Sequence, residues 1–344
     1  NLTKSSGVSD KHGTAGGSYG IGKYATFACS KFSTVFYSTY DINNEQAYQG
    51  ISRIVTFTRA DGEDTTGLGF YGEEQNKPVF EQLNIDPGFS RKLEQYGTDI
   101  YIMAYAQAQA DWKREIIVSI LDSFLVAFWK NKLKVQVEDV EISKDTLATL
   151  MDEYKDSVDG YVCSYYKVLT SPETKWVEEE NFYGLGGIKF GVLLMDDDAS
   201  RRVAMVRQTG MKIKDQGSIS GYIPFMGVML IEGDEINTRL RLIENPQHTA
   251  WEPQRSANEL QARELLSALN NFMKQKVGEL ASQGSAMELD AVGLGDLLPD
   301  DIDADADKSK EENVSNATEV IESKVVIQKE RKVTVSKAKT KTVD

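Results

Sequence analysis

Four glycines, Gly16, Gly17, Gly20 and Gly22, stand directly ahead of Lys23 in the run GGSYGIGK. Glycines at this spacing let the backbone turn sharply and come close to a ligand. The free N–H groups at the start of a following helix then offer a site for phosphate oxygens, to which Lys23 adds a positive charge. The chemistry suited to such a loop is the binding of a phosphorylated ligand. It is not a Walker A loop, which needs Ser or Thr after the lysine where this chain has Tyr24. Nor does it follow a predicted strand, as a dinucleotide fingerprint would. On spacing alone, a tight turn in an ordinary α/β domain is the competing reading.

The other residue types that carry chemistry form no comparable group. Asp196, Asp197 and Asp198 are consecutive; adjacent turn residues seldom converge on one ion, and a solvated β-turn is the reading preferred. His12 and His248 are the two histidines, and neither has a clear spacing to an acid cluster. Cys29 and Cys163 lie far apart without a CxxC partner, which excludes a disulfide scaffold and a cysteine metal site and fits a reducing compartment.

The chain has 344 residues, with 39 basic against 53 acidic side chains and a formal charge of −14. That balance argues against a broad nucleic-acid-coating surface, although a local basic patch stays open. No 18-residue apolar run and no N-terminal signal pattern occur, so the expectation is a soluble, cytoplasmic protein without membrane contact.

Several elements must position the loop. Lys23 to Ser30 reads as a short helix and Ser33 to Thr39 as a buried strand; Ile51 to Arg59 and Gly97 to Ala104 read as strands around an irregular, glycine-rich span. Asp111 to Lys130 is the clearest helix, and Leu133 to Val137 alternates as a strand. A helix over Thr146 to Asp156 would be capped by Ser143 or Asp145. Strands are expected at Gly187 to Met195, Arg202 to Val206, Met211 to Ile213, Phe225 to Ile231 and Asn237 to Ile243, with a turn at Gln208-Thr209-Gly210. A helix over 256–282, capped by Ser256 with Glu259 three residues on, carries Leu260, Leu265, Leu266, Leu269, Phe272 and Met273 on its apolar face. From Gly284 the composition turns small and acidic, and a basic, β-prone end follows.

In GGSYGIGK and the helix and strand after it, the chain resembles the GHKL ATPases, the superfamily of gyrase B, the mismatch-repair ATPases, sensor histidine kinases and the ninety-kilodalton heat-shock chaperone. Asn1 to Thr14 looks like the lid sequence of that family, and Gly97-Thr98 is similar to a Gly-Thr pair whose hydroxyl lies near the adenine. The resemblance implies an α/β (α+β) fold: the distal part of a Bergerat nucleotide domain at 1–110, an α/β transducer-like domain at 111–283, and an acidic linker with a C-terminal β extension at 284–344. It implies ATP and Mg2+ as cofactors of the complete parent. Gly17, Ser18, Tyr19, Gly20, Ile21, Gly22 and Lys23 would hold the phosphates, with the Gly20 and Gly22 amides and Lys23 on the β- and γ-phosphates, and Thr98 would lie near the base.

The family's water-activating glutamate and magnesium-binding asparagine lie on a helix upstream of the lid, and an adenine-binding aspartate follows them. The chain starts at Asn1, and Asp10 has no helical E-x-x-x-N context. These groups are therefore expected from an upstream or partner segment, and the isolated chain is expected to be inactive. In relatives a basic transducer residue reaches the γ-phosphate and ties hydrolysis to domain closure. Arg207 is the first choice for that catalytic role, Lys212 the second and Arg202 the third. The expected activity is an ATP-driven conformational switch, with closure of a homodimer. The alternative is a non-enzymatic interaction or assembly module on a divergent GHKL-like scaffold; a prokaryotic or phage complex suits either.

Overall fold

A computed structural model describes residues 22–81, 89, 91–92, 94–106, 111–195 and 201–285. Its first part is a short helix, α1 (Lys23–Ala28), with four antiparallel strands, β1 (Thr34–Tyr40), β2 (Gln46–Arg53), β3 (Leu68–Tyr71) and β4 (Gly97–Ile102), ordered β3-β2-β1-β4. Alternation along β1 divides its side chains between two faces. Val35 pairs in register with Ile51 and Ile102, and with Tyr37, Ile51 and Phe27 of α1 it forms a small core. On the opposite face stand Phe36, Tyr48 and Tyr101, against which Phe89 packs, edge-on to Phe36 and Tyr101 and tilted against Tyr48, its ring centroid 4.3 Å from that of Tyr101.

The second part opens with α2 (Trp112–Trp129), followed by the hairpin β5 (Val135–Val137) and β6 (Val140–Ile142) and the helices α3 (Leu147–Glu153) and α4 (Gly160–Thr170). Next come β7 (Lys175–Glu179), β8 (Ile188–Leu194), β9 (Arg202–Val206), β10 (Lys212–Gln216) and β11 (Phe225–Ile231), then α5 (Asp234–Leu242) and α6 (Glu259–Ser285). The five strands make one sheet ordered β10-β9-β11-β8-β7, in which only β9 and β11 run parallel. Leu193, Ala204, Val206, Met226 and Val228 share a core with α2, α3 and α4, while Phe190, Val203, Met205 and Met229 share another with α5 and α6. Covered on both sides and flanked by two strands, β11 is buried at every residue, which is why FMGVMLI reads as an unbroken apolar run. The described residues are thus α+β, built on largely antiparallel sheets.

Several expectations need correction. The strand expected at 51–59 begins at Gln46 and stops at Arg53; the Ile54 N–H still donates to the Gly67 carbonyl, and beyond it Val55 and Phe57 are exposed. The irregular span holds β3. Asn237 to Ile243 is not a strand but part of α5. Ile236, Leu240 and Ile243 are buried at helical spacing, whereas Leu242, which alternation would bury with Leu240, is 62% exposed. Asp234 and Glu235 in the first turn and Arg239 and Arg241 in the last complement the helix dipole.

Two caps also move. Thr146, not Ser143 or Asp145, holds the N-cap position of α3. Asn258 rather than Ser256 accepts from the first turn of α6, at Gln261 N, so Leu260 falls on the outer face and is exposed. The chain divides into two units, residues 1–287 and 288–344; the second lies outside the described residues. Among the described residues no helix is long and apolar enough to cross a membrane.

Candidate functional site

Gly22 occupies the N-cap position of α1, and its carbonyl accepts from Ala25 N at 3.1 Å. No side chain among the described residues caps the helix. The backbone at Gly22 is right-handed, φ −54° and ψ −28°, and no atom lies within 4 Å of where a Cβ would stand. Neither conformation nor packing among the described residues demands glycine here. Serine, threonine, aspartate or asparagine would cap the helix better, whereas a glycine at this position suits close approach of the backbone to a ligand.

α1 is fixed to the sheet by two contacts that do not appear in the sequence pattern. Thr26 hydrogen-bonds the phenol of Tyr37, whose pKa burial raises and that bond partly lowers. The Arg53 guanidinium lies over the rings of Tyr24 and Phe27, 4.1 Å and 5.2 Å from their centroids. Arg53 is therefore a cation beside α1 that sequence reasoning missed; a basic residue closing the predicted strand was its only signal. Gly17, Ser18, Tyr19, Gly20 and Ile21 lie outside the described residues, as do Asp10, His12, Asp196, Asp197, Asp198 and the side chain of Lys23.

Thr98 stands in β4 opposite Thr39 of β1, their hydroxyls 3.1 Å apart. By register it shares a face with Val35, Tyr37 and Ile51, the face on which α1 packs. The sheet thus brings Thr98 and the helix led by Gly22 to one side. α1 is only six residues long, and beyond it this face leaves Ile100 exposed and Thr98 partly exposed.

The expected transducer cations are committed elsewhere. Arg207 follows β9, donates through Nη1 to Glu244 Oε1 at 2.9 Å and through Nε to Thr209 Oγ1 at 3.0 Å. Its side chain is 11% exposed, that of Glu244 1%, and His248 Nδ1 meets the same carboxylate oxygen. Lys212 lies 2.6 Å from Asp122 of α2 and 3.2 Å from Asp215, which also accepts from the Tyr165 hydroxyl at 2.7 Å. Burial pulls the Lys212 pKa down, yet the two carboxylates outweigh it and the net shift is upward. A cavity of about 10 Å³ beside Lys212 has room for about one water, not for a phosphate. Arg202 lies over Tyr161, 5.8 Å from its ring centroid.

A bulge explains why neighbouring lysines of β10 differ. The register passes from Lys212↔Val206 to Lys214↔Met205, leaving Ile213 as the extra residue. Lys212 and Asp215 consequently share the α2 and α4 face, while Ile213 and Lys214 turn to the α5 and α6 face. Lys214 Nζ sits 5.7 Å from the ring centroid of Trp251, with no carboxylate partner among the described residues, and burial lowers its pKa. The Trp251 Nε1 is buried with no hydrogen-bond partner among the described residues. Sequence reasoning passed over Lys214 because the bulge leaves no mark in MKIKDQ.

Among the described residues no group of three or more His, Cys, Asp or Glu side chains is placed to hold a metal ion. No protein-family model matches the chain, and no curated protein matches it.

Proposed function

We propose that this chain is the phosphate-sensing and transducing part of a GHKL-type ATPase that uses ATP and Mg2+ to switch conformation. The observation that carries the reading is the shared placement of Gly22 and Thr98. A helix that no side chain among the described residues caps, opened by a glycine that none of those residues requires, packs on the same sheet face as the Gly97-Thr98 strand start. The amides led by Gly22 would receive phosphate oxygens, and the Thr98 hydroxyl would face the base. Mg2+ would neutralise phosphate charge. The activating glutamate and the metal-binding asparagine would come from an upstream or partner segment, with homodimer closure as the switch.

Because Arg207 and Lys212 are each already paired with carboxylates, Lys214 is the cation of this segment best suited to answer a phosphate. A second reading, the non-enzymatic assembly module, draws its support from the same internal neutralisation of Arg207 and Lys212. Calorimetric titration of Mg-ATP into the whole natural polypeptide containing this chain separates the two. The ATPase reading expects binding that Gly22→Val abolishes and Thr98→Val weakens, with both variants folded. Unchanged affinity in Gly22→Val would remove the phosphate loop from the proposal; no nucleotide binding by the unaltered polypeptide would favour the assembly module.

A further inference from the structure

Between the last turn of α5 and the first turns of α6 lies a cavity of about 530 Å³, within the range of roughly 300–1,000 Å³ usual for small-molecule sites. Ile243, Ala262 and Leu265, all buried, line it together with Leu242, which is exposed. This is the leucine that the helical phase of α5 turns outward, and its apolar surface is available for a ligand to cover. Two arginines, Arg239 and Arg255, also line the cavity against one carboxylate, Glu235. A net positive lining is distinctive in a chain whose formal charge is −14.

The two arginines differ in commitment. Arg255 Nη1 is 3.4 Å from Glu252. Arg239 donates through Nε to Glu235 at 2.9 Å, and its terminal nitrogens have no partner among the described residues. Those two nitrogens form a planar fork that matches the two oxygens of a carboxylate. Exposed pairs such as Arg239–Glu235 contribute at most about 1 kcal/mol, so an incoming carboxylate meets little competition from it.

We infer that this cavity binds a small amphipathic monocarboxylic acid, its carboxylate on Arg239 with Arg255 adding positive potential, and its hydrocarbon body against Leu242 and Leu265. The inference uses different residues from the nucleotide reading and stands or falls separately. The test titrates octanoate into the full chain by calorimetry, with octanol and acetate as the two halves of the ligand. One octanoate per chain is expected, with octanol and acetate each at least roughly tenfold weaker, since charge-assisted hydrogen bonds and apolar burial each supply that factor. Arg239→Gln should weaken octanoate roughly tenfold and leave octanol unchanged; Leu242→Ser should weaken octanoate and leave acetate unchanged. Both positions are exposed, and circular dichroism checks that each variant is folded. Octanol binding as tightly as octanoate, an unaltered octanoate affinity in Arg239→Gln, or no saturable octanoate binding below its micelle threshold would overturn the inference.

Discussion

Arg207 Nη1 lies 2.9 Å from Glu244 Oε1, and the carboxylate it meets is 1% exposed. The pair links the turn after β9 to the segment that joins α5 and α6. In that segment Glu244 pairs with Trp251 across an isolated bridge, and Asn245 Oδ1 accepts from Thr249 N and Ala250 N. Arg207 is therefore part of what shapes this connection.

Removing the guanidinium takes from the buried Glu244 carboxylate the cation that meets it at 2.9 Å. Arg207→Ala should cost about 3 kcal/mol of stability, the range seen when one member of a buried ion pair is deleted. Urea denaturation measures it. The double variant Arg207→Met/Glu244→Leu should recover most of the loss, because it removes both desolvated charges together. A loss below about 0.5 kcal/mol in the single variant, the level of an ordinary surface substitution, would show the pair to be solvated.

Gly210 makes a separate prediction. It closes the turn at φ +90°, and a Cβ there would stand 2.7 Å from the Cα of Ala127 in α2. Backbone cannot yield as a flexible side chain can. Gly210→Ala should destabilise by at least about 2 kcal/mol, combining left-handed strain with overpacking. Thermal unfolding of the folded variant reports it, and a melting temperature equal to that of the unaltered chain would mean that α2 moves aside.

High pH should unfold the protein through the buried cluster behind β10. Burial foremost, then Asp215, raises the Tyr165 pKa well above its ordinary 10.0. Lys212 is raised above 10.5, burial opposing and Asp122 and Asp215 prevailing. For each group the folded pKa exceeds the unfolded one, so the stabilisation is complete below the unfolded value and is lost as pH rises towards the folded value. Lys214, lowered by burial, acts in the opposite sense: its folded pKa is depressed, and stability is regained as pH rises from that value to 10.5. Two losses against one gain predict a decline that sets in near pH 10. The decline should be shallower in Tyr165→Phe, although that variant is less stable at neutral pH by the bond lost to Asp215. Equal slopes for the two proteins in denaturation at graded alkaline pH would exclude Tyr165 as a source.

The sequence shows elements clearly where burial pattern and local propensity agree. Seven consecutive apolar residues locate β11, and Ile117, Leu121, Leu125 and Phe128 at helical spacing locate α2. α4 goes unread because GYVCSYYKVLT is rich in β-branched and aromatic residues; it is helical because Asp159 caps it at Tyr161 N and Val162, Tyr165, Val168 and Leu169 are buried on one side. α5 misleads for the reverse reason: Leu240 and Leu242 alternate, and only the joint burial of Ile236, Leu240 and Ile243 in the core shared with α6 decides the phase. At the candidate site, the helix after Gly22 and the strand bearing Thr98 are legible. The partners of Arg207 and Lys212 are not, since Glu244 and Asp122 are 37 and 90 residues away along the chain.

The extra residue at Ile213 shifts the phase of β10, and with it decides which lysine faces which layer. Deleting Ile213 would restore plain alternation and leave the amino-acid composition nearly unchanged. On a strand anchored at Lys212, Lys214 would still stand opposite Met205 and Asp215 opposite Ala204, so every side chain would keep its face. Flattening the bulge with Ile213 kept in the ladder would instead set Lys214 opposite Ala204 and carry Asp215 away from Tyr165, and Lys212 would lose one of its two counter-charges. One and the same sequence therefore places different charges on each layer according to whether this strand is bulged or flat.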